Sequence, residues 1–264
     1  MDGDGYNDFI GLAFGGSVHQ IFALHRNNGD DTLAPIEYFP HFANSFGLRP
    51  LNFTHGDFNN DGHTDLLVIG YVLSSPENFL ALGFYAGNGA GNFANPSKLT
   101  RLNHDLYLGD YIFNIEFKEI THGDFNGDGK RDIAITSTTD FLQVLTGNGL
   151  GDFVMGQKVK VGSQPIHVRS ADFNNDGMLD LASANDGART MQISLGKADG
   201  TFGDLNSPES ERIVIPLDGD ASFYDMVVSD FNLDGYPDIA LADEASSTRG
   251  MSRGSIIVIS GPGQ

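Results

Sequence analysis

The chain has no cysteine and no tryptophan among its 264 residues. Without cysteine there is no disulfide framework and no thiolate metal site, and the count by itself leaves the compartment open. Positive charge is scarce: 15 Lys and Arg stand against 35 Asp and Glu, for a formal net charge of −20. Binding nucleic-acid phosphates needs a basic surface, so this balance argues against that partner. Long apolar runs are missing too. The longest, Leu66 to Leu73, falls far short of the roughly 20 residues that cross a bilayer as a helix. No segment keeps a sustained helical period. The chain starts inside a repeat and without a leader, which reads as a fragment boundary or a misassigned start. The missing leader is therefore no argument for the cytoplasm.

Glycine (34 residues) and phenylalanine (20) are plentiful, and one stretch recurs. It reads DFNNDGHTDL at Asp57 to Leu66, DFNGDGKRDI at Asp124 to Ile133, DFNNDGMLDL at Asp172 to Leu181 and DFNLDGYPDI at Asp230 to Ile239. A fifth copy, Met1 to Ile10, lacks its first position. Side-chain oxygens stand at loop positions 1, 3, 5 and 9, with glycine at position 6. Alternating carboxylate and amide oxygens around a tight glycine turn can enclose a hard cation, and Ca²⁺ takes about six to eight oxygens. The carbonyl of position 7 would be a further ligand. An EF-hand closes its ring with a glutamate at position 12. Here position 12 is Val68, Ile135, Ser183 or Leu241, so the ring must close on position 9 and these are not EF-hands. The five loops carry three aspartates each, 15 of the 35 acidic residues, and five Ca²⁺ ions would bring the formal charge from −20 to −10.

A second mark lies between the loops: GNGAGNF at Gly87 to Phe93, GNGLGDF at Gly147 to Phe153 and GKADGTF at Gly196 to Phe202, with a degenerate copy at Asn27 to Leu33. Short β-type runs surround the marks. One precedes each loop (Leu51 to His55, Ile112 to His122, Ile166 to Ala171, Phe223 to Ser229). A second follows it (Phe9 to Phe14, Leu66 to Tyr71, Ile133 to Ser137, Leu181 to Ala184, Ile239 to Ala242). A third precedes each glycine cluster (Gln20 to His25, Phe79 to Tyr85, Leu142 to Thr146, Met191 to Leu195, Ser255 to Ser260). A fourth, more polar, follows it, as at Phe153 to Val161 and Arg212 to Ile215. The unit is a four-stranded antiparallel meander of about fifty residues, the size of a propeller blade. Its polar fourth strand suits an outer edge. Phe58, Phe125, Phe173 and Phe231 at loop position 2, and Leu or Ile at position 10, are expected to bury and pin each loop. Ser74 to Asn78, Leu99 to Asp110 and Leu205 to Arg212 are the irregular stretches best suited to a functional surface.

D-F-N-x-D-G-x-x-D before an apolar strand, followed by G-N-G-x-G-x-F, resembles the FG-GAP or VCBS repeat. That repeat builds the β-propeller heads of integrin α subunits, several fungal lectins and many bacterial secreted proteins. The resemblance covers essentially the whole chain and implies one all-β propeller domain over residues 1–264, with calcium loops at 1–10, 57–66, 124–133, 172–181 and 230–239. The implied Ca²⁺ ligands are Asp57, Asn59, Asp61, the His63 carbonyl and Asp65. They recur as Asp124, Asn126, Asp128, the Lys130 carbonyl and Asp132, then as Asp172, Asn174, Asp176, the Met178 carbonyl and Asp180. The fourth set is Asp230, Asn232, Asp234, the Tyr236 carbonyl and Asp238. The partial set is Asp2, Asp4, the Tyr6 carbonyl and Asp8. Integrin-type heads have seven blades, whereas this chain holds about five, with no first strand for its first blade and no fourth for its last. Either five blades close, or the chain is part of a longer, seven-bladed propeller.

The resemblance implies a calcium-stabilised, secreted or cell-surface module for adhesion or recognition of a protein or glycan, lectin-like in type, with no membrane span and no nucleic-acid partner. The alternative is a propeller of a secreted carbohydrate-active enzyme such as a polysaccharide lyase. No residue is assigned a catalytic role. Gly250-Met251-Ser252-Arg253-Gly254 matches G-x-S-x-G, but that motif needs a strand before it and a helix after it, so it reads as chance. The glycine clusters precede no helix and read as turns. His55 and His122 read as packed strand-end residues, with a supporting role at the metal loop as the less common case. The sequon Asn52-Phe53-Thr54 falls within an expected strand.

Overall fold

Each acidic loop is followed by an apolar run that becomes the second strand of an antiparallel sheet. The computed structural model describes residues 1–15, 19–30, 32–39, 47–72, 79–94, 96, 98–102, 119–217, 222–243 and 255–261. Five sheets are formed in chain order. The first holds β1 (Phe9–Gly15), β2 (His19–His25) and β3 (Glu37–Phe39). The second holds β4 (Leu48–Gly56), β5 (Asp65–Val72), β6 (Phe79–Tyr85) and β7 (Lys98–Arg101). The third holds β8 (Ile120–Gly123), β9 (Asp132–Thr136), β10 (Phe141–Gly147) and β11 (Phe153–Lys160). The fourth holds β12 (Pro165–Ala171), β13 (Asp180–Asn185), β14 (Thr190–Ser194) and β15 (Arg212–Pro216). The fifth holds β16 (Phe223–Ser229), β17 (Asp238–Asp243) and β18 (Ser255–Ile259).

The strands of each sheet pair as an antiparallel meander in sequence order. Among the described residues the first and fifth sheets hold three strands each and the other three hold four. Among the described residues the only helix is a 3₁₀ turn at Glu209–Glu211. Lys98–Arg101 forms an edge strand, so the stretch from Leu99 to Asp110 is not irregular throughout; residues 103–110 lie outside the described residues, as do 73–78, 112–118 and the Gly250 to Gly254 motif.

Contacts divide the chain into two units, Met1–Gly109 with Gly147–Phe153, and Asp110–Thr146 with Val154–Gln264. Within the first, Ile10, Leu12 and Phe22 of the first sheet pack on Leu48, Leu66 and Val68 of the second. Within the second, Phe125, Leu142 and Val144 of the third sheet meet Val168 and Leu181 of the fourth. Phe173, Ala182, Ala184, Met191 and Ile193 of the fourth meet Phe223, Met226, Ile239 and Leu241 of the fifth. Every residue of β5, β9 and β13 is buried. The fourth strand β11 alternates between more buried and more exposed residues, because one face and one edge stay wet.

The loop turn sets backbone demands at two positions. Position 6 is glycine at positive φ in every complete copy (Gly62, Gly129, Gly177, Gly235), where a Cβ would be strained. Position 4 is also left-handed, and it is filled by Asn60, Gly127, Asn175 and Leu233. Asparagine and glycine tolerate that region, whereas a leucine there costs about 1–2 kcal/mol. Leu233 is almost fully exposed, so no packing offsets the strain. Leu233→Asn is expected to stabilise by about 0.5–1 kcal/mol in a urea or thermal melt.

Candidate functional site

The loops share one hydrogen-bond pattern. Asp57 Oδ1 and Oδ2 accept the backbone N–H of Asp61 and Gly62 at 3.2 and 2.9 Å. Asn59 Oδ1 accepts the Asp61 N–H at 3.0 Å, and Asp61 Oδ1 accepts the His63 N–H at 2.8 Å. The same bonds recur from Asp124, Asn126 and Asp128 to Lys130. They recur again from Asp172, Asn174 and Asp176 to Met178. The fourth copy runs from Asp230, Asn232 and Asp234 to Tyr236. The partial loop keeps two of them, Asp4 N–H to Asp2 and Tyr6 N–H to Asp4. Backbone donors therefore hold the side-chain oxygens of positions 1, 3 and 5 within each loop.

Position 9 has a second job that the repeat spacing does not reveal. Asp65 is fully buried; its Oδ2 accepts the Phe58 N–H and its Oδ1 the Gly87 N–H, at 2.9 and 2.8 Å. Asp180 does the same with Phe173 and Gly196, at 2.8 and 2.7 Å. Asp238 takes Phe231 and Gly261, both at 2.9 Å, and Asp8 accepts the Asn27 N–H. This aspartate ties the loop to the start of the glycine cluster in the same sheet. Asp132 accepts the Phe125 N–H. Burial pushes the Asp180 carboxyl up to about 6; the Gly196 and Phe173 N–H groups oppose the shift, and the Asp176 and Asp172 charges add to it. The Asp65 carboxyl moves the same way, with Asp61 and Asp57 as the charged neighbours. An all-oxygen donor set rich in carboxylates is of the chemical type that suits a hard divalent cation.

Two loops carry cationic side chains of the protein itself. Lys130 Nζ lies 3.1 Å from Asp128 Oδ2. Arg26 Nη1 lies 3.4 Å from Asp2 Oδ2 and also pairs with Glu37.

Loop position 2 holds sheets together. Phe58 meets Phe153 edge-on with centroids 6.0 Å apart, and Phe125 meets Phe202 at 5.3 Å. The phenylalanine closing a glycine cluster therefore packs on the loop phenylalanine of the preceding repeat. Phe58, Phe125 and Phe173 are buried as expected. Phe231 is not: it is 49 % exposed.

A polar cluster that the motif search missed joins three sheets of the second unit. His167 Nδ1 and the Val168 N–H both lie 2.9 Å from Glu119 Oε2. Arg169 bonds Glu119 Oε1 through Nη1 and reaches Asp225 Oδ1 through Nη2 at 3.4 Å. Glu119, His167 and Asp225 each stand five residues before the first aspartate of their loop, and Asn52 holds that place in the second repeat. Register shifts in β4, β12 and β16 fall next to this position, between Pro50 and Asn52, Pro165 and His167, and Phe223 and Asp225. A bulge re-aims the side chain beside it. The signal in the sequence was a polar residue at a constant offset of five before each complete loop. Arg169 fills the cluster with positive charge, which makes it an ion-pair lattice rather than a cation site. Burial raises the Glu119 carboxyl, but the His167 hydrogen bond and the Arg169 charge outweigh it and hold the group below the usual range.

That shift has a pH consequence. A carboxylate with a depressed folded pKa stabilises the fold above its unfolded value, about 4.3, and the gain is lost as pH falls through the folded value. The difference in melting temperature between wild type and Glu119→Gln is expected to shrink as pH falls below about 5. A constant difference would remove the ionised Glu119 from this role.

His55 is exposed at the end of β4 rather than packed. The His122 carbonyl accepts the Ser170 hydroxyl. Asn52 lies in β4 as expected, its Oδ1 accepting the Phe53 N–H. Between β12 and β16 runs an open groove of about 570 Å³, from Arg169 and Ser170 past Asp172 and Asp230 to Tyr236 and Pro237.

Stacked antiparallel meanders with an acidic loop after each first strand define an all-β protein of propeller blades. The family model of the FG-GAP-like repeat matches residues 1–68, 124–183 and 172–241, more than half of the chain, and the chain belongs to that family of β-propellers. In general terms such a propeller is a binding or scaffold module. A search of curated proteins finds no match. No helix among the described residues is long and apolar enough to cross a membrane.

Proposed function

We propose that this chain is a calcium-stabilised binding module of the extracellular or cell-surface space, serving adhesion or recognition of a protein or glycan. The observation that carries the reading is the repeated carboxylate cradle, with its charge concentrated by burial of position 9. The ions would rest on positions 1, 3 and 5, the position-7 carbonyl and the free lone pairs of position 9. The complete sets are at Asp57 to Asp65, Asp124 to Asp132, Asp172 to Asp180 and Asp230 to Asp238. The set from Asp2 to Asp8 is the weakest, because it lacks position 1 and Arg26 already pairs with Asp2. Bound Ca²⁺ supplies structural charge neutralisation. Modules of this kind bind it at about 10⁻⁴–10⁻³ M, which suits extracellular rather than cytosolic calcium. The groove beside Tyr236 offers polar and apolar surface to a ligand. Glu119 does not favour the lyase reading, since its carboxylate is already committed to His167, Val168 and Arg169.

Calorimetric titration of chelator-stripped protein tests the reading. Ca²⁺ is expected to fill the four complete loops, and Asp176→Ala to remove one site while the other three keep their affinity. At a free Ca²⁺ tenfold above Kd, that variant loses about 1.4 kcal/mol of stabilisation. No uptake at millimolar Ca²⁺ would overturn the proposal. Glycan and peptide arrays, probed with and without Ca²⁺, then identify the ligand.

A further inference from the structure

The four complete loops share a hydrogen-bond pattern but not a charge. Each carries three aspartates, and the second, fourth and fifth repeats keep a formal −3 in the ten-residue loop. The third repeat adds Lys130 at position 7 and Arg131 at position 8, which leaves its loop at −1. Position 7 is His63, Met178 or Tyr236 in the other complete copies.

The side chain at position 7 is also placed differently. The His63 ring lies over Gly89, in the glycine cluster of its own sheet. Lys130 reaches back into its loop, where Nζ lies 3.1 Å from Asp128 Oδ2. In the other complete loops this oxygen of position 5 accepts the side-chain amide of position 3. Asn59 donates to Asp61 at 2.8 Å, Asn174 to Asp176 at 2.8 Å and Asn232 to Asp234 at 3.0 Å. The third loop therefore sets an ammonium group on a carboxylate that the calcium reading assigns to the ion.

We propose that Lys130 is a tethered counter-ion of the third loop. It neutralises Asp128 when calcium is scarce and is displaced when calcium enters, so this loop binds Ca²⁺ more weakly than the other complete loops. The inference rests on the calcium reading and adds which loop fills last. A unit positive charge about 6 Å from a divalent ion in a water-like dielectric weakens its binding about tenfold. Lys130 and Asp128 are both partly exposed, and an exposed ion pair holds its partners loosely enough for a divalent ion to displace it. The third loop then titrates over a higher range of free Ca²⁺, where the others are already full.

Each loop contains its own reporter. The N–H of the position-6 glycine donates to Oδ2 of position 1 in all four, through Gly62, Gly129, Gly177 and Gly235. Amide NMR of the chelator-stripped 264-residue chain, titrated with CaCl₂ below its melting midpoint in EGTA, reads the four midpoints separately. Gly129 is expected to move at about tenfold higher free Ca²⁺ than the other three. Lys130→Met, which places the residue of the fourth repeat at position 7, should bring the Gly129 midpoint down to theirs and leave theirs unchanged. Lys130→Arg keeps the charge and should keep the Gly129 midpoint high. A Gly129 midpoint at or below the others in wild type, or one that stays where it was in Lys130→Met, overturns the proposal. Silence at all four glycines up to millimolar Ca²⁺ overturns the calcium reading itself, and this inference with it.

Discussion

Removing calcium is expected to lower the melting temperature steeply. Each complete loop holds three aspartates whose mutual repulsion opposes folding unless a cation sits among them, and burial of Asp180 and Asp65 raises that penalty. At a free Ca²⁺ tenfold above Kd, one site contributes RT ln 11, about 1.4 kcal/mol. Four independent sites contribute about 6 kcal/mol, comparable with the whole stability of an ordinary domain, about 5–15 kcal/mol. A thermal melt in EGTA, then with Ca²⁺ or Mg²⁺ restored, measures the effect. Mg²⁺ should rescue poorly, because it demands near-octahedral geometry at shorter distances. An unchanged midpoint in EGTA, or equal rescue by both ions, would displace calcium from its central place.

The second large effect separates two phenylalanines at the same repeat position. Phe173 is 2 % exposed and lies in the core between the fourth and fifth sheets, whereas Phe231 is 49 % exposed. Phe173→Ala is expected to cost about 3–5 kcal/mol, the usual range for a buried phenylalanine. Phe231→Ala should cost under about 1 kcal/mol, because its ring gives up little contact. Urea unfolding of the two variants at a dilute, monomeric concentration decides the matter. Equal losses would mean that position 2 anchors its own loop rather than the next sheet.

The repeat made much of this protein legible before folding was considered. Strand alternation and turn residues are local properties, so the runs at Phe79 to Tyr85 and Phe223 to Ser229 appear with the same bounds in the structure. The oxygens of positions 1, 3 and 5 were equally legible, since a short loop with a glycine turn brings close neighbours together. What lies far apart in sequence was not. The exposure of Phe231 depends on whether another sheet covers it. The two backbone bonds of Asp65 depend on Gly87, 22 residues away. Glu119 meets His167 across 48 residues, where a bulge sets the aim of a first strand. Local chemistry determined the blades and their acidic loops; only the stacking of sheets decided which faces are covered and which charges meet, because burial and ion pairing are properties of neighbours in space.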